Sequence, residues 1–429
     1  MPVRRLPVRP DLAQLRHQAK DLLRAIRAGE ADAVEDLRQF HPKAVDPAAA
    51  KLADAQLVLA RSYQAPSWPR LVVACRLVDA IWNDDRDTVR ALVTRQPALL
   101  HEPAVIRNSN WGPPLSYAAN LGRDGIITML HQLGATDLHT AIDRATLQGR
   151  IGTARLLYDM MGRPRLPDDA LGGPAYTLDA AGTELMLEYG VRVVDERGHR
   201  LAPVDVVLET DSRKPAAKHR ILALYVEHGV TLPDTPTMAV HRGRIDLLAA
   251  HLARDPAMLS RTFSHEEMYP PSLGCHDEVL ATHGTPLAGA TLLHLAIDQD
   301  EMEIVRWLLD HGMDPDTRAA VDADGFGGHT ALFATVVSQP AYWMNRGHRP
   351  IDATAARWLL ERGANPEARA SLRKQLHPGY GEDERLHEYR DVTPVSWGQR
   401  FHRREFVNRA AEDLIAGWGR PEATMDPRG

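Results

Sequence analysis

A helix pair that recurs along the chain constrains this fold more than any other feature. The clearest copy begins Thr291-Leu-Leu-His-Leu-Ala-Ile and continues Glu303-Ile-Val-Arg-Trp-Leu-Leu-Asp-His-Gly-Met-Asp-Pro315. Ile304, Val305, Leu308 and Leu309 recur every three or four positions, the stripe of a helix with one buried face. Gly312 lies just past the stripe, where a left-handed residue ends a helix. Related runs start at Gly112-Pro-Pro-Leu-Ser-Tyr-Ala-Ala, Thr330-Ala-Leu-Phe and Thr393-Pro-Val-Ser-Trp. Weaker copies fill Leu77–Leu100, Asp143–Met161, Pro174–Gly190, Pro203–Gly229 and Thr237–Leu252. That makes about nine units between Leu77 and Trp418, so the chain reads as a stacked array in which each unit buries its face on the next. With 429 residues it is longer than a single core usually supports, which also favours an array.

The repeated unit resembles the ankyrin repeat, whose signature is a Thr-Pro-Leu-His-x-Ala-Ala helix start and a Leu-Leu-x-x-Gly-Ala-Asp helix end. Thr291 to Pro315 follows it with Leu292 in place of Pro. Asp11-Leu-Ala-Gln-Leu, Ala53-Asp-Ala-Gln-Leu-Val-Leu-Ala and Ser67-Trp-Pro-Arg-Leu resemble the leader of a group of bacterial ankyrin-repeat domain-containing proteins, as do Ser109-Asn-Trp-Gly-Pro-Pro and Gly325-Phe-Gly-Gly-His-Thr. The resemblance implies an all-α ankyrin-repeat solenoid of helix-turn-helix repeats with short hairpin fingers, and no chemistry. Residues 1–75 carry helical patterns of a different kind and are expected to form an N-terminal helical cap. The array is expected over 76–420, with insertions near 261–289, 339–351 and 368–391, and a tail at 421–429.

Lys and Arg number 51 and Asp and Glu 57, for a net charge of −6, which disfavours a nucleic-acid binder acting through a global basic field. Two cysteines cannot build a disulfide framework or a four-Cys zinc site. No secretory h-region follows Met1, and no apolar run approaches the ~18 residues of a membrane span, so a soluble, cytoplasmic protein without nucleic-acid or membrane partners is expected.

In stacked ankyrin units the first helices and fingers line a concave groove. By that analogy Tyr117, Asn120, Arg144, Gln148, His241, Asp298 and Trp397 line it, with Trp82 and others, and the finger Ser109-Asn110-Trp111 closes over the same side. Tyr117 and Trp397 offer large apolar area at low entropic cost, as binding anchors do. The same pattern also describes ordinary solvated helix faces. The insertion at 261–289 contains His265, Glu266, Cys275, His276, Asp277 and His283, which are metal-capable types, but with no His-x3-His or Cys-x2-Cys spacing it reads as a polar loop without metal. The insertion at 339–351 combines Tyr342, Trp343, Arg346, His348 and Arg349, an interface-like composition or a Trp packed on its own array. The insertion at 368–391 reads as a long exposed finger. His294 occupies the ankyrin histidine slot, a structural role, and His329 is expected to behave alike. His241 is the one histidine placed as a general base, if Asp298 neighbours it across the stack. Gly325-Phe-Gly-Gly lacks a phosphate-loop Lys, and neither a Gly-x-Ser-x-Gly elbow nor a His-Glu-x-x-His zinc motif occurs. The expected function is a non-enzymatic scaffold that recognises a partner protein through the groove, without cofactor. The alternative is a small-molecule-binding or catalytic pocket in the same groove.

Overall fold

A computed structural model describes residues 4–106, 109–342, 345, 347, 352–376 and 385–419. The chain divides into two units, Met1–Arg165 and Leu166–Gly429, and the division falls within the span expected for the array. Both are built from short paired helices, an all-α helical-repeat architecture.

In the first unit the chain forms α1 (Leu12–Ala28), α2 (Ala31–Phe40), α3 (Leu52–Ser62), α4 (Trp68–Trp82), α5 (Arg86–Arg95), α6 (Pro114–Leu121), α7 (Asp124–Gln132), α8 (Leu138–Leu147) and α9 (Ile151–Met160). Asp11 starts α1 by accepting from the Ala13 and Gln14 amides, and Gly29 ends it at φ 76°. Leu15, Ala19, Leu22 and Ile26 form its buried stripe. Ser67 caps α4, with Pro69 in its first turn where no amide donor is missed. One 15-residue helix runs from Trp68 to Trp82, so the 75/76 junction expected between cap and array lies inside α4. Leu71, Ala74, Cys75, Leu77, Val78 and Ile81 form one buried stripe across that junction, and the helix runs through.

The second unit contains α10 (Gly172–Thr177), α11 (Ala180–Glu188), α12 (Val204–Glu209), α13 (Pro215–Glu227), α14 (Pro236–His241), α15 (Ile245–Arg254), α16 (His265–Met268), α17 (Glu278–Ala281), α18 (Leu292–Asp298), α19 (Met302–Asp310), α20 (Ala331–Val336), α21 (Thr354–Glu361), α22 (Pro394–Arg400) and α23 (Arg409–Gly417). The pair α18–α19 is the unit seen in the sequence. His294 Nδ1 accepts from the Thr291 amide at 3.3 Å and lies 2.9 Å from Thr291 Oγ1, tying the α18 start together. His329 Nε2 donates to the Pro286 carbonyl at 2.9 Å. Both imidazoles are buried and structural. The stripe Ile304, Val305, Leu308, Leu309 is buried as expected. Leu308→Ala is therefore expected to cost at least about 2 kcal/mol, measured by urea denaturation, because a cavity replaces close-packed contacts. A loss within about 0.5 kcal/mol would place Leu308 on the surface.

The insertions differ from their sequence reading. Residues 261–289 are not a solvated loop: Met268, Tyr269, Leu273 and Cys275 are buried, and α16 and α17 fold within them. The described part of the 368–391 insertion is a pair of antiparallel strands, β1 (Ala370–Lys374) and β2 (His387–Val392), the one sheet among the described residues, while 377–384 of the expected finger lie outside them. It is not fully exposed, since Leu372, Tyr389 and Val392 are buried.

Candidate binding site

Unit by unit, the structure gathers functional residue types in two places. In the first unit, α4 and α6 present Asp79, Trp82 and Tyr117 side by side. The Trp82 indole N–H donates to the Tyr117 hydroxyl at 2.6 Å, and that hydroxyl donates to the Val8 carbonyl at 2.8 Å. Trp111 packs on both rings, with centroids 4.8 Å from Tyr117 and 6.4 Å from Trp82. Arg123 donates to the Trp82 carbonyl and holds the end of α4. Burial pushes the Tyr117 phenol up to about 12, so it remains a neutral donor at all ordinary pH.

The Val8 carbonyl belongs to an irregular segment, Arg4–Pro10, laid against these helices. The Arg4 amide donates to the Ser62 carbonyl at 3.1 Å and its guanidinium to Asp36 at 2.7 Å. Leu6 is buried among Leu15, Ala60, Ala65, Leu71 and Cys75. The Arg9 guanidinium donates to Asp79 Oδ1 at 2.7 and 3.2 Å and sits over the Trp82 ring, 5.3 Å from its centroid. Cation–π and carboxylate contacts thus converge on one arginine.

The second place is a buried polar centre in the second unit. Arg213, just before α13, donates to Asp298 Oδ2 at 3.0 Å and to the Asp298 carbonyl at 2.6 Å. Both side chains are 2% exposed. Lys218 of α13 donates to Gln299 Oε1 at 3.0 Å and lies 3.1 Å from Glu301 Oε1, which also meets His219 Nε2 at 2.9 Å. Gln299 donates to the Tyr269 hydroxyl at 2.8 Å. Asp211 accepts from Gln339 Nε2 at 2.6 Å and lies 2.9 Å from His283 Nδ1. Burial lowers the Lys218 ammonium, against the pull of Glu301. Burial also raises the Glu301 carboxyl, but Lys218 and His219 beside it outweigh this and hold it below the usual range. The charges in these pairs are matched, which suits a clasp holding α13 to the end of α18 rather than a reacting centre.

The residues expected to line a groove divide. Asn110 and Gln148 are exposed, and Trp111 and Arg144 are half-buried. Tyr117, Asn120, His241, Asp298 and Trp397 are buried, so their side chains do not line an open groove. Each finds an internal partner. Asn120 Nδ2 donates to the Ser116 carbonyl, and the Trp397 indole donates to Thr285 Oγ1 at 2.9 Å. His241 Nε2 donates to the Met268 carbonyl at 2.9 Å, while Asp298 is held by Arg213. The base-and-orienter pair of His241 with Asp298 is therefore not formed, and burial holds His241 neutral, well below its usual range. Trp343 lies outside the described residues, as do Arg346, His348 and Arg349 of the same insertion. Its neighbour Tyr342 is buried and stacks on Phe406 at 4.5 Å, packed on its own unit.

Of the metal-capable types in the 261–289 insertion, His276 Nδ1 pairs with Glu209 at 2.8 Å and His265 Nε2 donates to the His276 carbonyl. Among the described residues no group of three His, Cys, Asp or Glu side chains is placed to hold a metal ion. No described helix is long and apolar enough to cross a membrane. Sequence reasoning missed Arg9, Asp79, Arg213 and Lys218. A cluster of Arg and Pro between Arg4 and Pro10, ahead of α1, was the available signal for Arg9.

The family model described as "Ankyrin repeat" matches residues 288–317, so the chain carries an ankyrin repeat there. Among solved structures, the human ASB11 ankyrin repeat domain is similar at 18% identity, over 59% of this chain and 99% of that one, with a TM-score of 0.28. The curated proteins contain no match.

Proposed function

We propose that this chain is a non-enzymatic binding scaffold of the ankyrin-solenoid type, with hairpin fingers, a helical cap over residues 1–75 and a bacterial, cytoplasmic setting, and that it recognises a partner protein. The observation that carries the reading is the face of α4 and α6. It already holds an irregular polypeptide segment through main-chain, cation–π and carboxylate contacts. A surface that satisfies a backbone carbonyl and a guanidinium together has the chemistry of peptide recognition. Asn110, Trp111, Arg144 and Gln148 are the exposed or half-buried residues proposed to extend it. The buried polar centre of the second unit supports no catalytic role, because its charges are already paired.

The test is affinity capture with cross-linking and mass spectrometry, comparing the natural chain with Trp111→Ala. Trp111 is half-buried, and truncating an interface anchor of this type weakens binding by about tenfold or more. Capture of one protein, weakened to that extent in the variant with an unchanged melting curve, is the expected result. Equal capture by both chains would remove this face from the function. Turnover of a small molecule with no captured protein would overturn the scaffold reading.

A further inference from the structure

The segment Arg4–Pro10 is held unevenly. Leu6 is buried, whereas Pro7, Val8 and Arg9 are exposed. Between the segment and α4 lies an open cleft of about 480 Å³, bordered by Arg9, Pro10 and Leu12 on one side and by Cys75, Arg76 and Asp79 on the other. The part beyond Leu6 is held by the Val8 carbonyl on Tyr117, by Arg9 on Asp79 and Asn83 and over Trp82, and by the buried Pro10. The Arg9–Asp79 pair is about half exposed on both sides, and exposed pairs contribute only ~0.2–1 kcal/mol. A backbone segment over open space with few buried contacts belongs to the low-stability end of a fold.

We propose that Arg4–Pro10 is a displaceable intramolecular occupant of the α4–α6 face, and that the ligand displacing it is a peptide presenting an aliphatic residue three positions before an arginine. This rests on the reading of that face as a peptide-recognition surface and specifies its ligand. Each element of the ligand has a counterpart on the page. The aliphatic residue takes the pocket of Leu15, Ala60, Leu71 and Cys75 that Leu6 fills. A carbonyl two residues on accepts from the Tyr117 hydroxyl, which Trp82 orients from behind. The arginine lies over Trp82 and pairs with Asp79, a geometry that a lysine reproduces poorly because it lacks the planar fork. While the chain's own segment is seated, the competent fraction is small and the apparent affinity falls by that fraction.

The experiment uses the full chain and a fluorescein-labelled peptide of residues 4–11, Arg-Arg-Leu-Pro-Val-Arg-Pro-Asp, read by anisotropy. Two variants release the segment: Arg9→Glu, an exposed position where folding is unaffected, and Leu6→Ser with Arg9→Glu. Hydrogen exchange of the Arg4 amide, which donates to the Ser62 carbonyl, reports release directly. The expected result is faster exchange in both variants and peptide binding at least about tenfold tighter than to the natural chain. Adding Asp79→Ala should remove that gain. The same peptide with alanine at position 9 should bind no better to the variants than to the natural chain. An Arg4 amide that stays protected in both variants would make the segment a fixed part of the core and overturn the inference. Release without tighter peptide binding would overturn it equally. Either failure leaves capture of a partner protein, and its Trp111 dependence, as a separate result for the broader reading.

Discussion

Lowering the pH from 7 to 5 is expected to destabilise the second unit by at least about 2 kcal/mol. His329 is buried against the Pro286 carbonyl, and burial lowers its imidazole to about 4, whereas it titrates near 6.5 in the unfolded chain. A histidine with a depressed folded value contributes fully above about pH 6.5. That contribution is lost as the pH falls toward 4, because the unfolded chain takes up the proton first. Between pH 7 and 5 this one group accounts for about 2 kcal/mol. His294 and His241, both buried and both lowered well below 6.5 by that burial, act in the same direction. His276 opposes them, since its hydrogen bond to Glu209 raises it, but it is exposed and the effect is screened by solvent. Urea midpoints at pH 7 and pH 5 test this, and His329→Gln should reduce the difference. Equal midpoints for the natural chain at the two pH values would show that these imidazoles are not held neutral.

Asp298→Ala is expected to cost about 3–5 kcal/mol, the usual consequence of leaving one buried charge without its partner. The Arg213 guanidinium is 2% exposed, and Asp298 is its anionic partner at 3.0 Å. The carbonyls of Asp298, Thr210 and Ser212 would still accept from it, but they carry no charge. Replacing both residues, as Arg213→Met with Asp298→Leu, should recover most of the loss, because two desolvated charges disappear together. A double-mutant cycle in urea provides the measurement. A double variant whose loss equals the sum of the two single losses would mean that the two side chains act independently.

The repeat was legible because helical spacing and end signals are local. Thr291, the stripe through Leu309 and Gly312 sit where the periodicity placed them. Orientation was less legible. Periodicity says which residues share a helix face, but not which element covers that face. His241 illustrates this. Its place at the end of α14 was readable, yet the 261–289 insertion folds over it with Met268 and Tyr269, turning an expected groove residue into a core one. Asp298 met the same fate through Arg213, a residue 85 positions away. Tyr117 packs on Trp111, but Val8 also meets Tyr117 and Arg9 lies over Trp82, long-range contacts that no local pattern announces.

The strand pair of β1 and β2 bears on how the chain stays dispersed. Two-stranded ribbons expose rows of unpaired backbone groups that template association with other chains. Here β2 pairs with β1, and its exposed positions are Glu388, Arg390 and Asp391. Asp391 adopts a left-handed φ of 51° and pairs with Arg369, while a bulge shifts the register between Ala370 and Leu372. Arg373 and Arg390 both lie over Phe326, 5.0 and 4.4 Å from its ring, and screen that apolar surface. Kink, bulge and charge together make the outer edge a poor template for a second strand. The strand pair can therefore exist within a helical protein without seeding sheet growth between molecules.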